Sequence, residues 1–158
     1  MNFLTEHGIS NYGELESKLT AISARRDTAH TEIKRIESRS AELTLVMKHA
    51  GTYRQLKPLY DRYRKSNDKE KFLRGHESEI ILFEAAAREL KRLGAVPLPT
   101  TESMKTELAN LNAEKERLLA EYKAARAEAQ EYETVKQNVD ALLTVAKEQE
   151  QQRRHELE

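Results

Sequence analysis

Apolar residues recur along the first third of the chain at alternating steps of three and four. The series runs from Tyr12 to Ala50, and only Arg26 and Ser40 interrupt it. Its members are Tyr12, Leu15, Leu19, Ile22, Ala29, Ile33, Ile36, Leu43, Met47 and Ala50. A heptad pattern of this length predicts one coiled-coil helix. Asn11 is the predicted N-cap, and Glu14 three residues later resembles the second member of a capping box.

A second series of the same kind begins near Met104, and Lys115 and Lys136 occupy its two interrupted positions. Its other members are Leu108, Leu111, Leu118, Tyr122, Ala125, Ala129, Tyr132, Val139, Leu143 and Ala146. Thr101 or Ser103 is the predicted N-cap of this helix, because Pro97 and Pro99 disfavour helix immediately before them.

Two heptad helices on either side of a middle segment predict an intramolecular antiparallel pair. The registers place Tyr12 near Leu143, Ile33 near Tyr122 and Met47 near Leu108. The polar interruptions have two interpretations. They fix the register of the pair at a cost in stability, as single polar core residues do, or they contact a ligand or partner. The first interpretation is the more common one for such residues.

The segment between the two series predicts a small helical head. Residues 52–66 continue the first helix, with a bend at Gly51 or Pro58. Asp68 and its neighbour cap a short segment that Gly75 ends, and Gly94 closes a further helix. The expected apolar face of that helix contains Ile80, Phe83, Ala87 and Leu90, broadened by Ile81 and Leu82.

The predicted fold is therefore all-α: a long antiparallel coiled-coil hairpin capped by a small helical head. Residues 1–50 hold the first stalk helix from about Asn11, residues 51–99 the head, and residues 100–150 the returning stalk helix. Residues 151–158 are expected to be a frayed tail. Leu157 and Glu158 resemble a vector-derived scar, which would make the chain an excised piece of a longer protein; the alternative is that they are the native ending.

Composition agrees with long helices and excludes several classes of protein. Ala, Glu, Lys, Leu and Arg dominate, and Gly and Pro are scarce. The chain has no cysteine, which excludes a disulfide scaffold and a thiolate nucleophile and fits a cytoplasmic protein. No apolar run approaches the ~20 residues that a membrane span needs, so no membrane partner is expected. The N-terminus lacks the pattern of a secretory signal.

The sequence carries no catalytic or metal-binding motif. Five histidines are scattered without a metal-ligand spacing: His7, His30, His49, His76 and His155. Neither a Gly-rich phosphate loop nor a nucleophile in a catalytic context occurs. The sequence thus predicts no catalytic residue, no metal and no cofactor, and this chain is not expected to be an enzyme by itself.

The stretch YRQLKPLYDRYRKSNDKEKFLRGHE at residues 53–77 interleaves cations with aromatics. Its basic residues are Arg54, Lys57, Arg62, Arg64, Lys65, Lys69, Lys71 and Arg74. Basic residues among aromatics are typical of single-stranded nucleic-acid surfaces, but they are also typical of a solvated helical elbow. Tyr53, Leu56, Tyr60 and Tyr63 share one helix face, which predicts that the aromatics form the core of the head. The eight cations are then candidates for contacts with DNA phosphates.

Three stretches carry a resemblance to a known family. YDRYRKSNDKEKFLRGHESEIILFEAAARELKRLG, followed by VPLP and LANLNAEKERLLAEYKAARAE, resembles the helical region after the nicking domain of relaxases. These are the mobilization endonucleases of plasmids and integrative elements in Gram-positive bacteria. The likeness extends from NYGELESKL to VDALL; the head and the LP junction are distinctive, whereas the heptads match many coiled coils.

The resemblance implies a non-catalytic interaction module of a conjugative mobilization protein. The family's histidine-hydrophobe-histidine metal site and catalytic tyrosine have no counterpart in this sequence, so nicking activity is expected only of the parent protein. The expected partners are DNA at the transfer origin and a relaxosome accessory or secretion coupling protein. The alternative is a purely structural spacer or dimerisation arm without a nucleic-acid role. A monomeric hairpin is expected, with a dimer as the alternative.

Overall fold

The computed structural model describes residues 3–157, and all of their regular structure is helical. Helix α1 spans Phe3–Glu6, α2 spans Tyr12–Lys65, α3 spans Lys69–Arg92 and α4 spans Thr101–Leu157. The all-α prediction is confirmed. Glu158, and with it half of the proposed scar, lies outside the described residues, as do Met1 and Asn2.

Side chains at the predicted positions begin α2 and α3. The Asn11 Oδ1 atom accepts from the backbone N–H of Glu14 at 2.9 Å, as expected of an N-cap. The Glu14 carboxylate accepts from the N–H and hydroxyl of Ser10 (2.7 and 2.9 Å) instead of from Asn11. Asp68 caps α3 by accepting from the N–H of Lys71 at 3.1 Å. Both caps satisfy donors that the first helical turn leaves without partners.

The residue that caps α4 lies one position before the nearer of the two predicted caps. Its N-cap is Thr100, whose hydroxyl accepts from the N–H of Ser103 at 3.1 Å, so the assignment to Thr101 or Ser103 was wrong. Ser103 instead donates its own hydroxyl to the Thr100 carbonyl. Three hydroxyl residues within four positions could each serve as the N-cap, and the local sequence does not decide among them.

Gly94 ends α3 as predicted. It has φ +71°, and its N–H bonds to the Lys91 carbonyl while the N–H of Ala95 bonds to that of Leu90. This pair of bonds is the Schellman arrangement, which needs a left-handed residue and therefore favours glycine. The regular helical turns that begin at Lys69 end at Gly75, as predicted. The element continues to Arg92, and the interruption falls on His76, whose φ of −135° and ψ of 24° are not helical.

Helix α2 continues without a break through both expected bend positions. Pro58 lies inside it and is exposed. Proline lacks an N–H and cannot donate to the carbonyl four residues earlier. Because this position faces solvent, water can satisfy that carbonyl.

The helices contribute to two compact units. The first unit comprises residues 1–33 and 116–158. Within it, the start of α2 lies beside α4 in the opposite direction, since Tyr12 bonds to Asp140 at 2.7 Å and Arg25 pairs with Glu128 at 2.8 Å. One buried cluster of this unit consists of Ile9, Leu15, Ile22, Ala129 and Tyr132, with Phe3, Leu4, Tyr12, Leu19, Val135 and Val139 packed against it. Ala29, Ile33, Leu118 and Ala125 are buried as well.

The second unit comprises residues 34–115. Its α2 and α4 segments are again antiparallel. The Arg39 guanidinium donates to both oxygens of Glu107 (2.7 and 3.1 Å), and Lys115 pairs with Glu37 at 3.5 Å. Buried residues of this unit are Ile36, Leu43, Val46, Ala50, Ile80, Phe83, Ala86, Leu90, Ala95, Met104 and Leu111. The bidentate geometry makes the Arg39 pair the most specific link between the two segments.

Several apolar positions differ from the heptad prediction. Ile81 and Leu82 are 53% and 55% exposed, so they do not broaden the face of α3, and Ala86 is buried in their place. Leu143 and Ala146 are exposed although the second series includes them. The Tyr12 hydroxyl donates to Asp140, which lies three residues before Leu143 in the sequence. The heptad spacing identified the right face of α4 but not where its partner segment ends.

The polar interruptions of the heptads are all half-buried, not buried. Arg26 pairs with Asp27 at 3.1 Å, and Lys115 reaches Glu37. The long side chains can bury their stems while the charges stay in water. The short Ser40 side chain cannot extend its polar atom into water in this way. Its hydroxyl oxygen is buried without a hydrogen-bond partner in the described part of the chain.

Candidate nucleic-acid interface

A row of aromatic rings forms the interior of the head in the second unit. Phe83 of α3 stacks on two rings of α2, with centroid distances of 4.8 Å to Tyr53 and 4.3 Å to Tyr60. The row continues from Tyr60 to Tyr63 at 5.9 Å and from Tyr63 to Phe72 at 6.1 Å. Phe83 is buried and the tyrosines are half-buried. The aromatic rings therefore pack mainly on one another.

The eight predicted cations all lie on exposed positions of the same two helices. We call them the basic head surface: Arg54, Lys57, Arg62, Arg64, Lys65, Lys69, Lys71 and Arg74. The first five belong to α2 and the last three to α3. Helical periodicity accounts for this separation, because residues three and four apart share a face and the aromatics occupy that face.

Three members of the basic head surface already have partners within the chain. Arg54 donates to the Thr101 hydroxyl at 3.0 Å and to the Pro99 carbonyl. Lys57 pairs with Asp61 at 3.3 Å, and the Arg74 Nε–H reaches the Glu70 carbonyl at 3.4 Å. Arg54 thus holds the segment before α4, a structural contact that sequence reasoning missed. Neither the neighbouring Tyr53 nor the prolines further along the chain indicate this contact in the sequence.

The other five cations have no side-chain hydrogen bond or ion pair within residues 3–157: Arg62, Arg64, Lys65, Lys69 and Lys71. Three of them lie in the last turn of α2, where the negative end of the helix dipole favours cations. Asp68 and Glu70 are the acidic residues at the start of α3. Positive charge is thus concentrated at the turn between the two helices.

The histidines of the described residues form no metal-binding cluster. His7 bonds through Nδ1 to the Phe3 carbonyl at 2.9 Å, and His76 Nδ1 lies 3.1 Å from a Glu79 carboxylate oxygen. The described residues contain no group of three or more His, Asp or Glu side chains placed to hold a metal ion. In the same part of the chain, none of the helices combines the length and apolarity required to span a bilayer.

An apolar cavity of about 230 Å³ lies beside the head and was not predicted from sequence. Its lining residues are Tyr53, Ala87, Leu90, Lys91, Ala95, Val96 and Leu98. The residues that follow α3 form one wall, and the Schellman turn fixes their direction. Hydrophobic periodicity describes residues within a helix, so it gives no information about a cavity formed by an irregular segment.

Comparisons with known proteins identify no relative. No protein-family model, no curated protein and no solved structure matches the chain.

Proposed function

We propose that this chain is a non-catalytic helical interaction module whose basic head surface contacts the phosphates of DNA. The proposal rests on five exposed cations whose side chains have no partner within residues 3–157: Arg62, Arg64, Lys65, Lys69 and Lys71. Such side chains can neutralise phosphates and release counterions without first breaking an intrachain pair. The acidic Asp68 and Glu70 nearby limit the strength of the contact.

The aromatic row supports backbone contact over recognition of bases. Single-stranded nucleic-acid platforms offer free aromatic faces on which bases stack. Here Tyr60 is stacked on Phe83 and Tyr63 packs between Tyr60 and Phe72. We therefore expect binding that is weak, indifferent to base sequence and strongly dependent on salt. Dissociation constants of about 10⁻⁴–10⁻⁶ M at physiological salt are typical of such non-specific contacts.

We also propose that the chain is part of a relaxase-like conjugative mobilization protein in the cytoplasm. The resemblance of the head and of the LP junction to that family supports this extension. In that setting the partners are transfer-origin DNA and a relaxosome accessory or coupling protein. The reading frame that encodes the chain is the direct test. A nicking domain with a histidine-hydrophobe-histidine motif encoded upstream is the expected result. An unrelated upstream domain would contradict the relaxase assignment and leave the phosphate contact to be judged separately.

The phosphate contact is tested by fluorescence anisotropy with labelled single-stranded and duplex oligonucleotides over a range of salt. If all five cations reach phosphates, the logarithm of the association constant falls against the logarithm of salt with a slope of about −4 to −5 for duplex DNA. Changing Arg62, Arg64, Lys65 and Lys69 together to Glu should abolish binding. Helical content should not change, because these side chains are exposed.

A matched control changes four exposed cations of α4 to Glu: Lys105, Lys123, Arg126 and Lys147. This variant has the same net charge as the head variant, so it should retain most of the binding if the head is the site. Equal loss in both variants would indicate diffuse attraction without a defined surface. Absence of binding by the unaltered chain at low salt would favour the spacer or dimerisation arm.

A further inference from the structure

The last part of α4 is helical and exposed to solvent. Every residue from 141 to 157 is exposed. Four large apolar residues lie there, with exposures of 70% for Leu142, 49% for Leu143, 49% for Val145 and 87% for Leu157. The segment therefore presents apolar side chains to solvent, and Leu143 and Leu157 lie on one stripe of the helix.

The heptad stripe of α4 continues into this exposed segment. From Val139, which packs against the core of the first unit, steps of four and three lead to Leu143, Ala146, Glu150, Arg153 and Leu157. Two charged residues of opposite sign thus occupy consecutive stripe positions. Glu150 pairs with Arg154 of its own helix at 3.0 Å, whereas Arg153 has no ion pair among the described residues.

We propose that residues 143–157 form a self-association surface on which a second copy of the chain packs antiparallel. One register pairs every stripe position from Ala146 to Leu157. When Glu150 faces Arg153 of the second copy, Ala146 faces its Leu157, because both pairs of residue numbers have the same sum. In a two-fold symmetric pair each contact occurs twice. Leu157 then packs on the small Ala146 and on Leu143 of the other helix.

Repulsion between like charges disfavours parallel packing of two copies on this surface. In a parallel pair Glu150 would face Glu150 and Arg153 would face Arg153, and like charges at facing positions are unfavourable. The antiparallel pair converts both repulsions into attractions. Because the interface is short and contains charges, we expect a weak dimer that forms reversibly as concentration rises.

Sedimentation velocity of the full chain from micromolar to millimolar concentration tests the dimer, and charge reversal tests the register. Glu150→Arg should weaken dimerisation about tenfold or more, since two attractive contacts become repulsive. The double variant Glu150→Arg/Arg153→Glu should restore dimerisation, because the exchanged charges again face each other. The exchange does not distinguish a parallel pair, in which like charges face each other before and after it, so orientation is tested separately by disulfide trapping.

Glu148→Arg is the matched control, because Glu148 is exposed and lies on the opposite face of α4 from the stripe. It should leave the dimer unchanged. Helical content measured by circular dichroism verifies that each variant remains folded. A chain that stays monomeric at all concentrations would overturn the proposal, as would an effect of Glu148→Arg equal to that of Glu150→Arg.

Disulfide trapping gives an independent test of orientation, because the chain has no cysteine of its own. A mixture of Ala146→Cys and Leu157→Cys chains should form the mixed disulfide in preference to either homodimer. If most crosslinks instead join two Ala146→Cys chains, the pair is parallel and the proposed register is wrong.

Discussion

The ring of Tyr60 stacks on the ring of Phe83 with centroids 4.3 Å apart and planes inclined by 26°. Phe83 is buried and Tyr60 half-buried, so this contact joins α2 to α3 across the interior of the head. Tyr53 stacks on the same Phe83 ring at 4.8 Å. Phe83 therefore supports two aromatic side chains of α2, and its contacts give the head a defined packing independent of any charged residue.

Replacing Tyr60 with Ala should destabilise the chain by about 2 kcal/mol. A fully buried aromatic costs about 3–5 kcal/mol on truncation to Ala, and a half-buried ring loses roughly half of that. Chemical denaturation followed by circular dichroism measures the change. Tyr60→Phe retains the stacked ring and serves as the control. A loss below about 0.5 kcal/mol for Tyr60→Ala would contradict a packing role for this ring.

Replacing Arg26 or Lys136 with Leu should raise thermal stability. Both residues interrupt an apolar stripe and are half-buried, and the Arg26–Asp27 contact is an exposed pair of little net value. The apolar area gained by Leu should contribute about 0.5–1 kcal/mol at each site. Thermal unfolding of the single variants measures it. A decrease in stability would instead indicate that the charge has a partner whose loss is costly.

Ser40→Ala should be neutral or stabilising. The Ser40 hydroxyl oxygen is buried without a hydrogen-bond partner, and an unsatisfied buried hydroxyl costs about 1–3 kcal/mol. Removing it eliminates that cost while leaving the backbone carbonyl free to accept from the Thr44 hydroxyl at 2.8 Å. Denaturant unfolding compares the two proteins. Destabilisation above about 1 kcal/mol would show that the hydroxyl makes a favourable contact.

Stability should fall at high pH through the Tyr12–Asp140 hydrogen bond. The Tyr12 hydroxyl donates to the Asp140 carboxylate at 2.7 Å, and this bond, with desolvation, raises the pKa of Tyr12 to about 12. A phenol whose pKa is higher in the folded state stabilises that state below its unfolded pKa near 10. That contribution is lost as pH rises from about 10 to about 12.

Spectrophotometric titration of the phenols tests this assignment. Burial raises the pKa of Tyr132 as well, so two of the tyrosines should ionise late. Tyr12→Phe should remove one late phenol, and Asp140→Asn should return the Tyr12 pKa toward its ordinary value. An unchanged titration after Asp140→Asn would contradict the hydrogen bond as the cause.

The coiled-coil hairpin remains a prediction that distance measurements can test. Spin labels at Ile33 and Tyr122, and separately at Met47 and Leu108, should report short intramolecular distances in dilute solution. His30 already stacks near Tyr122, with ring centroids 5.6 Å apart. Dilution of labelled chains with unlabelled chains serves as the control, because an intramolecular distance survives it. Distances that disappear on dilution would show that the pairing occurs between chains.

The sequence by itself determined the helical class, the caps at Asn11 and Asp68, the glycine stop at Gly94 and the apolar faces of the long helices. These features depend on local properties: periodicity, hydrogen bonding by a nearby side chain, and the positive φ that glycine tolerates. It also separated the aromatic from the basic face of the head, since that separation needs only helical geometry.

Tertiary structure decided the properties that depend on distant partners. Leu143 and Ala146 follow the same spacing as buried Tyr132, yet they are exposed. Five of the eight head cations lack a side-chain partner within residues 3–157, while Arg54 is held by Pro99 and Thr101. Spacing shows which residues share a face, but burial and charge pairing depend on what packs against that face.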